Sequence, residues 1–252
     1  MGPNLEAVVA ELIKKAELLL SQPRKRVKFT GEPEADEFLN NIEEYPHAFV
    51  LGCMMDQSGK INAERAWRIP HTIAKSIKGF DFRRFQSLDA TAVNSMFVEQ
   101  ALHTYPSRMA KFFYLTIQDI ARKYHGDASK IWCENPSSAT VVRRFLGFKG
   151  AGLKVATMGA NILSRELKVA MSDKFSIDIS VDIHIRRVFK RLALVRDEAS
   201  DEEIIYTARE LNPNYPGIFD LPTWEIGRNW CRPQKPVCKE CYMQKFCSSK
   251  NN

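Results

Sequence analysis

Four cysteines close the chain in one short stretch: Cys231, six residues, Cys238, two residues, Cys241, five residues and Cys247. Only Cys53 and Cys133 stand elsewhere, so the clustering argues for thiolates gathered on one metal centre. A single Cys-x-x-Cys pair with no histidine beside it does not build a paired zinc knuckle. Four thiolates from one loop suit a [4Fe–4S] cube, whose irons each take one sulfur. Zinc is the rival occupant. Disulfides are a third reading, disfavoured because no signal peptide opens the chain and it reads as intracellular. Cys53 and Cys133 fall outside the spacing and read as buried free thiols.

The second chemical signal is Gly150-Ala-Gly152-Leu-Lys154, lying between two apolar-periodic stretches. Two glycines this close allow a tight turn and turn backbone N–H groups outward at the start of the next helix. There a phosphate can be held by donors and dipole together. A bare Gly-x-Gly is weak by itself, and an ordinary helix–turn–helix explains it about as well. Lys154 would sit in the first helical turn, where the dipole works against an ammonium and favours the neutral amine that can attack carbon. Its plainer role is a phosphate contact. In Val181-Asp-Ile-His-Ile185, Asp182 reads as the N-cap of a helix from Ile183.

These segments resemble, in the same order, three motifs of the helix–hairpin–helix DNA glycosylases, in the endonuclease III branch that carries an iron–sulfur loop. The matching stretch runs from about His47 to Cys247. The resemblance implies that the hairpin of Lys149, Gly150 and Gly152 grips the DNA backbone and that Lys154 is the catalytic lysine of a bifunctional enzyme. It also implies that Asp182 is the carboxylate facing that lysine across a cleft, with His184 a packing neighbour. Gln57, after an apolar helix, matches the polar residue that enters the gap left by an extruded base, and reads nearly as well as part of a helix C-cap region with no contact to DNA. Arg232 and Lys235 in the cysteine loop are placed to meet phosphates. The implied partner is duplex DNA with a damaged or mismatched base. The implied activity is base removal with strand nicking through a lysine imine, by a monomer in the cytoplasm or the nucleus. Two alternatives remain: a monofunctional glycosylase using Asp182 and water, and a non-catalytic lesion-binding or redox protein.

Two departures stand out. The stretch from Lys154 to Asp182 is about ten residues longer than in endonuclease III, with the surplus between residues 165 and 179. Lys149 also stands where the family has proline. Asp173 and Asp178 lie close by but lack the Val-x-x-His-Ile context, and read as surface or loop carboxylates. Met54 and Met55 either line the base pocket or pack the lobe, and Trp67 is either core or a stacking platform; core is the expected place for all three.

The elements that must position these groups are helical. Apolar periodicity and caps predict an opening helix ending before Pro23 and a basic irregular linker over 21–33. Further helices follow at about 35–45, 46–56, 63–77, 90–99, 107–124, 136–145, 153–167, 183–192, 201–211 and 221–230. The alternating segment 174–180 reads as an extended loop. The expected class is all-α, in two lobes. Residues 36–166 form a helical barrel with the hairpin, and residues 1–35 with 167–252 form a discontinuous lobe ending in the cysteine loop, 231–247. With 252 residues and 44% hydrophobic content, the chain can bury a substantial core, and no apolar run approaches a membrane span. Lys and Arg number 37 against 30 Asp and Glu, a formal charge of +7. Four thiolates on a cluster would lower that figure without changing its sign, which favours a polyanionic partner.

Overall fold

The computed structural model describes residues 3–57 and 61–249, and these divide into two units. Every regular element among them is helical.

One unit comprises Arg24–Pro136 and Thr140–Met171. Its helices are α2 (Pro33–Asn40), α3 (Pro46–Met55), α4 (Ala63–Ser76), α5 (Phe82–Gln86), α6 (Ala90–Glu99), α7 (Pro106–Tyr124), most of α8 (Ser138–Leu146) and α9 (Leu153–Arg165). The central element is α3. It is apolar on every side but for His47, every residue of it is buried, and α2, α4, α7 and α9 pack around it. Proline at its first position leaves no orphan N–H there. Gly52 is needed for packing: a Cβ would stand 2.5 Å from the Trp67 ring. Trp67 itself is buried and stacks on Phe29 with centroids 4.4 Å apart. Met54 and Met55 are fully buried, so all three are core residues.

The other unit comprises Met1–Pro23, Ser137–Ala139 and Ser172–Asn252. It holds α1 (Pro3–Ser21), α10 (Ile183–Arg191), α11 (Asp201–Leu211) and α12 (Asp220–Asn229). Ile185, Val188 and Phe189 form the buried face of α10 and pack against α12. Gly227 of α12 lets the two helices close, since a Cβ there would lie 2.7 Å from that of His184. On α1, Val8, Leu12 and Ala16 recur every four residues as the buried stripe. A capping box between Ser200 and Glu203 starts α11.

Several expectations need correction. The helix expected over 35–45 ends at Asn40, where the Asn41 N–H closes on Glu37. The short α5 was not anticipated; Asp81 caps it through the Arg84 N–H. Cys133 is only half-buried, whereas Cys53 is fully buried. Asp178 lies on a loop but is not at the surface. It is buried, and Arg209 grips it with two bonds of 2.7 and 2.8 Å.

Candidate functional site

In the unit built around α3, the glycine hairpin is Gly147–Gly152, between α8 and α9. Phe148 is buried beside Tyr124 and Phe145 and anchors the turn. Lys123 spans the Asp119 carboxylate and the Gly147 carbonyl, each at 2.9 Å, and ties the hairpin to α7. Gly150 has φ +94°, and a Cβ on it would meet the Phe112 ring at 2.8 Å. This position demands glycine twice, for its dihedral and for its space. Gly152 is different. Its φ is −102°, it opens α9, and nothing lies within 4 Å of where a Cβ would stand. No side chain caps α9 there, and Lys149 is exposed. The hairpin therefore presents a helix N-terminus with open space before it, the arrangement that accepts an anion.

Lys154 lies in the first turn of α9 and reaches toward the end of α3. Its Nζ donates to the Asp56 carbonyl at 2.9 Å and stands 3.5 Å from the Asp56 Oδ2 and 3.7 Å from the Met158 Sδ. Gln57 follows directly. Its side-chain amide donates back to the Met54 carbonyl at 2.5 Å, so it closes the end of α3 and does not project freely. Ser58 and Gly59, which end the segment read from the sequence, lie outside the described residues. Sequence reading missed Asp56, which touches Lys154 from 98 positions away.

Asp182 belongs to the other unit. Its Oδ1 accepts from the His184 and Ile185 amides, both at 2.8 Å, as the N-cap of α10. The His184 ring lies edge-on to Trp224, with its Nδ1 3.0 Å from an Arg187 nitrogen. The segment 166–182 between α9 and α10, which contains the stretch where the surplus is expected, is irregular.

The four clustered cysteines of this unit are free thiols and line one pocket walled by Val188, Leu192, Ile226, Trp230 and Met243. Two arginines of α10 hold the loop. Arg187 donates to the Cys231 carbonyl at 2.6 Å and to the Gly227 carbonyl at 2.8 Å. Arg191 donates to the Cys231 Sγ at 3.3 Å and to the Arg232 carbonyl at 2.7 Å. Burial, with the neighbouring thiols adding to it, raises the pKa of Cys241 and Cys247. A cation in the pocket would offset that cost by taking thiolates. Among the described residues, no three metal-ligating side chains close on a single-ion site. Arg232 and Lys235 are exposed on the same loop.

Among solved structures, an endonuclease III in a non-covalent DNA complex aligns over 98% of this chain and 96% of its own, with a TM-score of 0.62 at 17% identity. A thermostable thymine-DNA glycosylase gives 0.63 at 13% identity, over 98% of each chain. The fold is that of the helix–hairpin–helix DNA glycosylases. An endonuclease III trapped as a covalent intermediate with DNA aligns at 0.59 and 17% identity, over 86% of this chain and 93% of its own. In sequence, endonuclease III of Thermotoga maritima is 30% identical over 69 residues, 27% of this chain. That match spans about a third (32%) of the relative's length. No protein-family model matches the chain. No helix among the described residues is long and apolar enough to cross a membrane.

Proposed function

We propose that this protein is a DNA glycosylase of base-excision repair with an associated lyase activity. In this reading, duplex DNA carrying a damaged or mismatched base is gripped at the glycine hairpin. The lesion base leaves the stack, Lys154 attacks C1′ of the nucleoside, and the base departs with the glycosidic electron pair. Asp182 takes a proton and stabilises positive charge on the sugar. Breaking of C1′–O4′, with O4′ taking a proton, opens the sugar to the imine; the imine acidifies the neighbouring C2′–H, and loss of that proton expels the 3′-phosphate and nicks the strand. The observation that carries the proposal is Lys154 itself: an amine in the first turn of α9, two residues beyond the glycine hairpin, with its Nζ on the Asp56 carbonyl at the end of α3. The uncapped N-terminus of α9, with open space at Gly152, supports this reading, since a phosphate held there would bring the nucleoside toward Nζ.

Cys231, Cys238, Cys241 and Cys247 would hold a [4Fe–4S] cluster, a reading supported by their spacing and shared apolar pocket. When bound, it would cross-link the loop and so hold Arg232 and Lys235 for phosphate contacts. One observation favours a second reading, a monofunctional glycosylase. The Lys154 ammonium is engaged by Asp56, which would leave Asp182 and water to remove the base.

A panel of duplexes carrying different damaged bases, with and without alkali, separates these readings. Cutting without alkali, together with a borohydride-trapped protein–DNA adduct, supports the lyase. Cutting only after alkali supports the monofunctional enzyme. No cutting on any lesion would leave a binding protein.

A further inference from the structure

Asp56 sits where α3 ends, and its surroundings fix it. Its backbone N–H closes on the Gly52 carbonyl at 3.2 Å, and the Trp67 Nε1 donates to its Oδ2 at 3.3 Å. That indole is pressed against the Gly52 backbone and stacked on Phe29, so it cannot swing away without opening the core. Asp56 thus presents two acceptors from one rigid residue to the Lys154 Nζ: its carbonyl at 2.9 Å and its carboxylate at 3.5 Å. The Met158 sulfur, one turn along α9, closes the third side. Both side chains are largely shielded, Lys154 with 34% and Asp56 with 19% of its surface exposed.

We infer that Asp56 is a positioning residue for Lys154, holding the amine in place at the foot of the glycine hairpin through both of its acceptors. The inference rests on the proposed role of Lys154 but concerns a carboxylate which that role does not use. Asp56 lies in the same unit as Lys154, whereas Asp182 lies in the other. Two influences oppose each other at Nζ. The N-terminus of α9 disfavours a cation, while the carboxylate of Asp56 favours it. The carboxylate and carbonyl together hold the amine in one direction of attack.

Among the described residues, Cys53 and His103 are the neighbouring titratable groups coupled to Asp56, and both are neutral around pH 7. Burial, with Asp56 adding to it, pushes the Cys53 thiol well up. Burial lowers the pKa of His103, whose Nε2 lies on the Met55 carbonyl at 3.3 Å. Arg65 is committed to the Ala101 carbonyl. Among the described residues, Asp56 is thus the carboxylate that pairs with Lys154 from the end of α3.

The test is a titration that does not depend on turnover. Lysines of the full-length protein are reductively methylated with 13C-formaldehyde and followed by NMR against pH. Lys154 is assigned by the signal missing in Lys154→Gln. In Asp56→Asn, which keeps shape and carbonyl, the Lys154 midpoint should move down by about one pH unit or more. Asp56→Glu should return it toward the wild-type value. Where wild type forms a borohydride-trapped adduct, the acid limb of that rate should move down with the midpoint, and the plateau should fall by about tenfold. If Asp56→Asn unfolds the protein, Trp67→Phe removes the donor behind the carboxylate and should shift the same signal. An unmoved Lys154 midpoint in a folded variant overturns the inference, whatever the enzyme does. A moved midpoint with no adduct on any lesion upholds Asp56 as the residue holding Lys154 and rejects the lyase instead.

Discussion

Arg191 donates an N–H to the sulfur of Cys231 at 3.3 Å, and the Cys247 thiol meets the backbone carbonyl of the same arginine at 3.5 Å. The first and last cysteines of the loop thus meet on one residue of α10. A guanidinium beside a ligating sulfur stabilises its thiolate form and ties the loop to a helix already fixed by Ile185 and Phe189. Anaerobically purified protein should be brown and contain iron, and Cys238→Ser should lose both colour and iron. Arg191→Gln should keep the cluster at purification and lose it several-fold faster to a chelator. Colourless wild-type protein with stoichiometric zinc after anaerobic reconstitution would end the iron–sulfur reading.

The two hairpin glycines should behave differently. Gly150→Ala forces a side chain into φ +94° and against Phe112, and should cost about 2 kcal/mol of stability by chemical denaturation. Gly152→Ala meets open space at an ordinary φ and should leave stability within about 0.5 kcal/mol. Its methyl group would instead stand in the path of a phosphate approaching the N-terminus of α9. Duplex binding should therefore weaken in Gly152→Ala although the fold is intact. Equal DNA affinity for wild type and Gly152→Ala would remove the hairpin from the interface.

Acid should weaken the unit around α3 through His47. Burial lowers its pKa to about 4, and its Nε2 lies 2.9 Å from the Phe80 carbonyl, so the neutral ring donates there. An unfolded histidine titrates near 6.5. Between pH 6.5 and about 4 the unfolded chain therefore takes up a proton that the folded one refuses, and stability falls as pH drops through that window. The loss should approach about 3 kcal/mol by pH 4. His47→Gln keeps a donor for Phe80 and should flatten the curve there; an unchanged slope in that variant would assign the acid sensitivity to other groups.

Legibility in the sequence followed the range of the interactions. Helix starts were readable because their caps are local: Asp182, Ser200 with Glu203, and the prolines opening α3 and α7 each act within a few residues. The five-residue α5 escaped because one turn carries no periodicity. Lys154 was marked by its glycines, yet its partner Asp56 was not, since nothing local distinguishes that aspartate. The contact exists only because α9 packs on α3. Asp178 was placed on a loop, as it is, but its burial was not readable for the same reason, since its ion pair with Arg209 spans 31 positions.

Asp182 carries two proposed duties, and amino-acid choice can separate them. As an N-cap it needs only an acceptor oxygen, which asparagine also supplies, so Asp182→Asn should keep α10 and shift stability by only a few tenths of a kcal/mol. As the carboxylate of the reaction it needs negative charge and a basic oxygen, which asparagine lacks. Base removal in single-turnover assays should then fall by about 10²-fold or more at unchanged DNA affinity. Asp182→Ala removes both functions and should also lose about 1 kcal/mol in denaturation. Lys154→Gln should abolish the borohydride adduct while still binding DNA, because an amide keeps reach but forms no imine. The pair of variants decides the assignment. Full base removal by Asp182→Asn would reduce Asp182 to a cap, and persistent trapping in Lys154→Gln would move the chemistry to another amine.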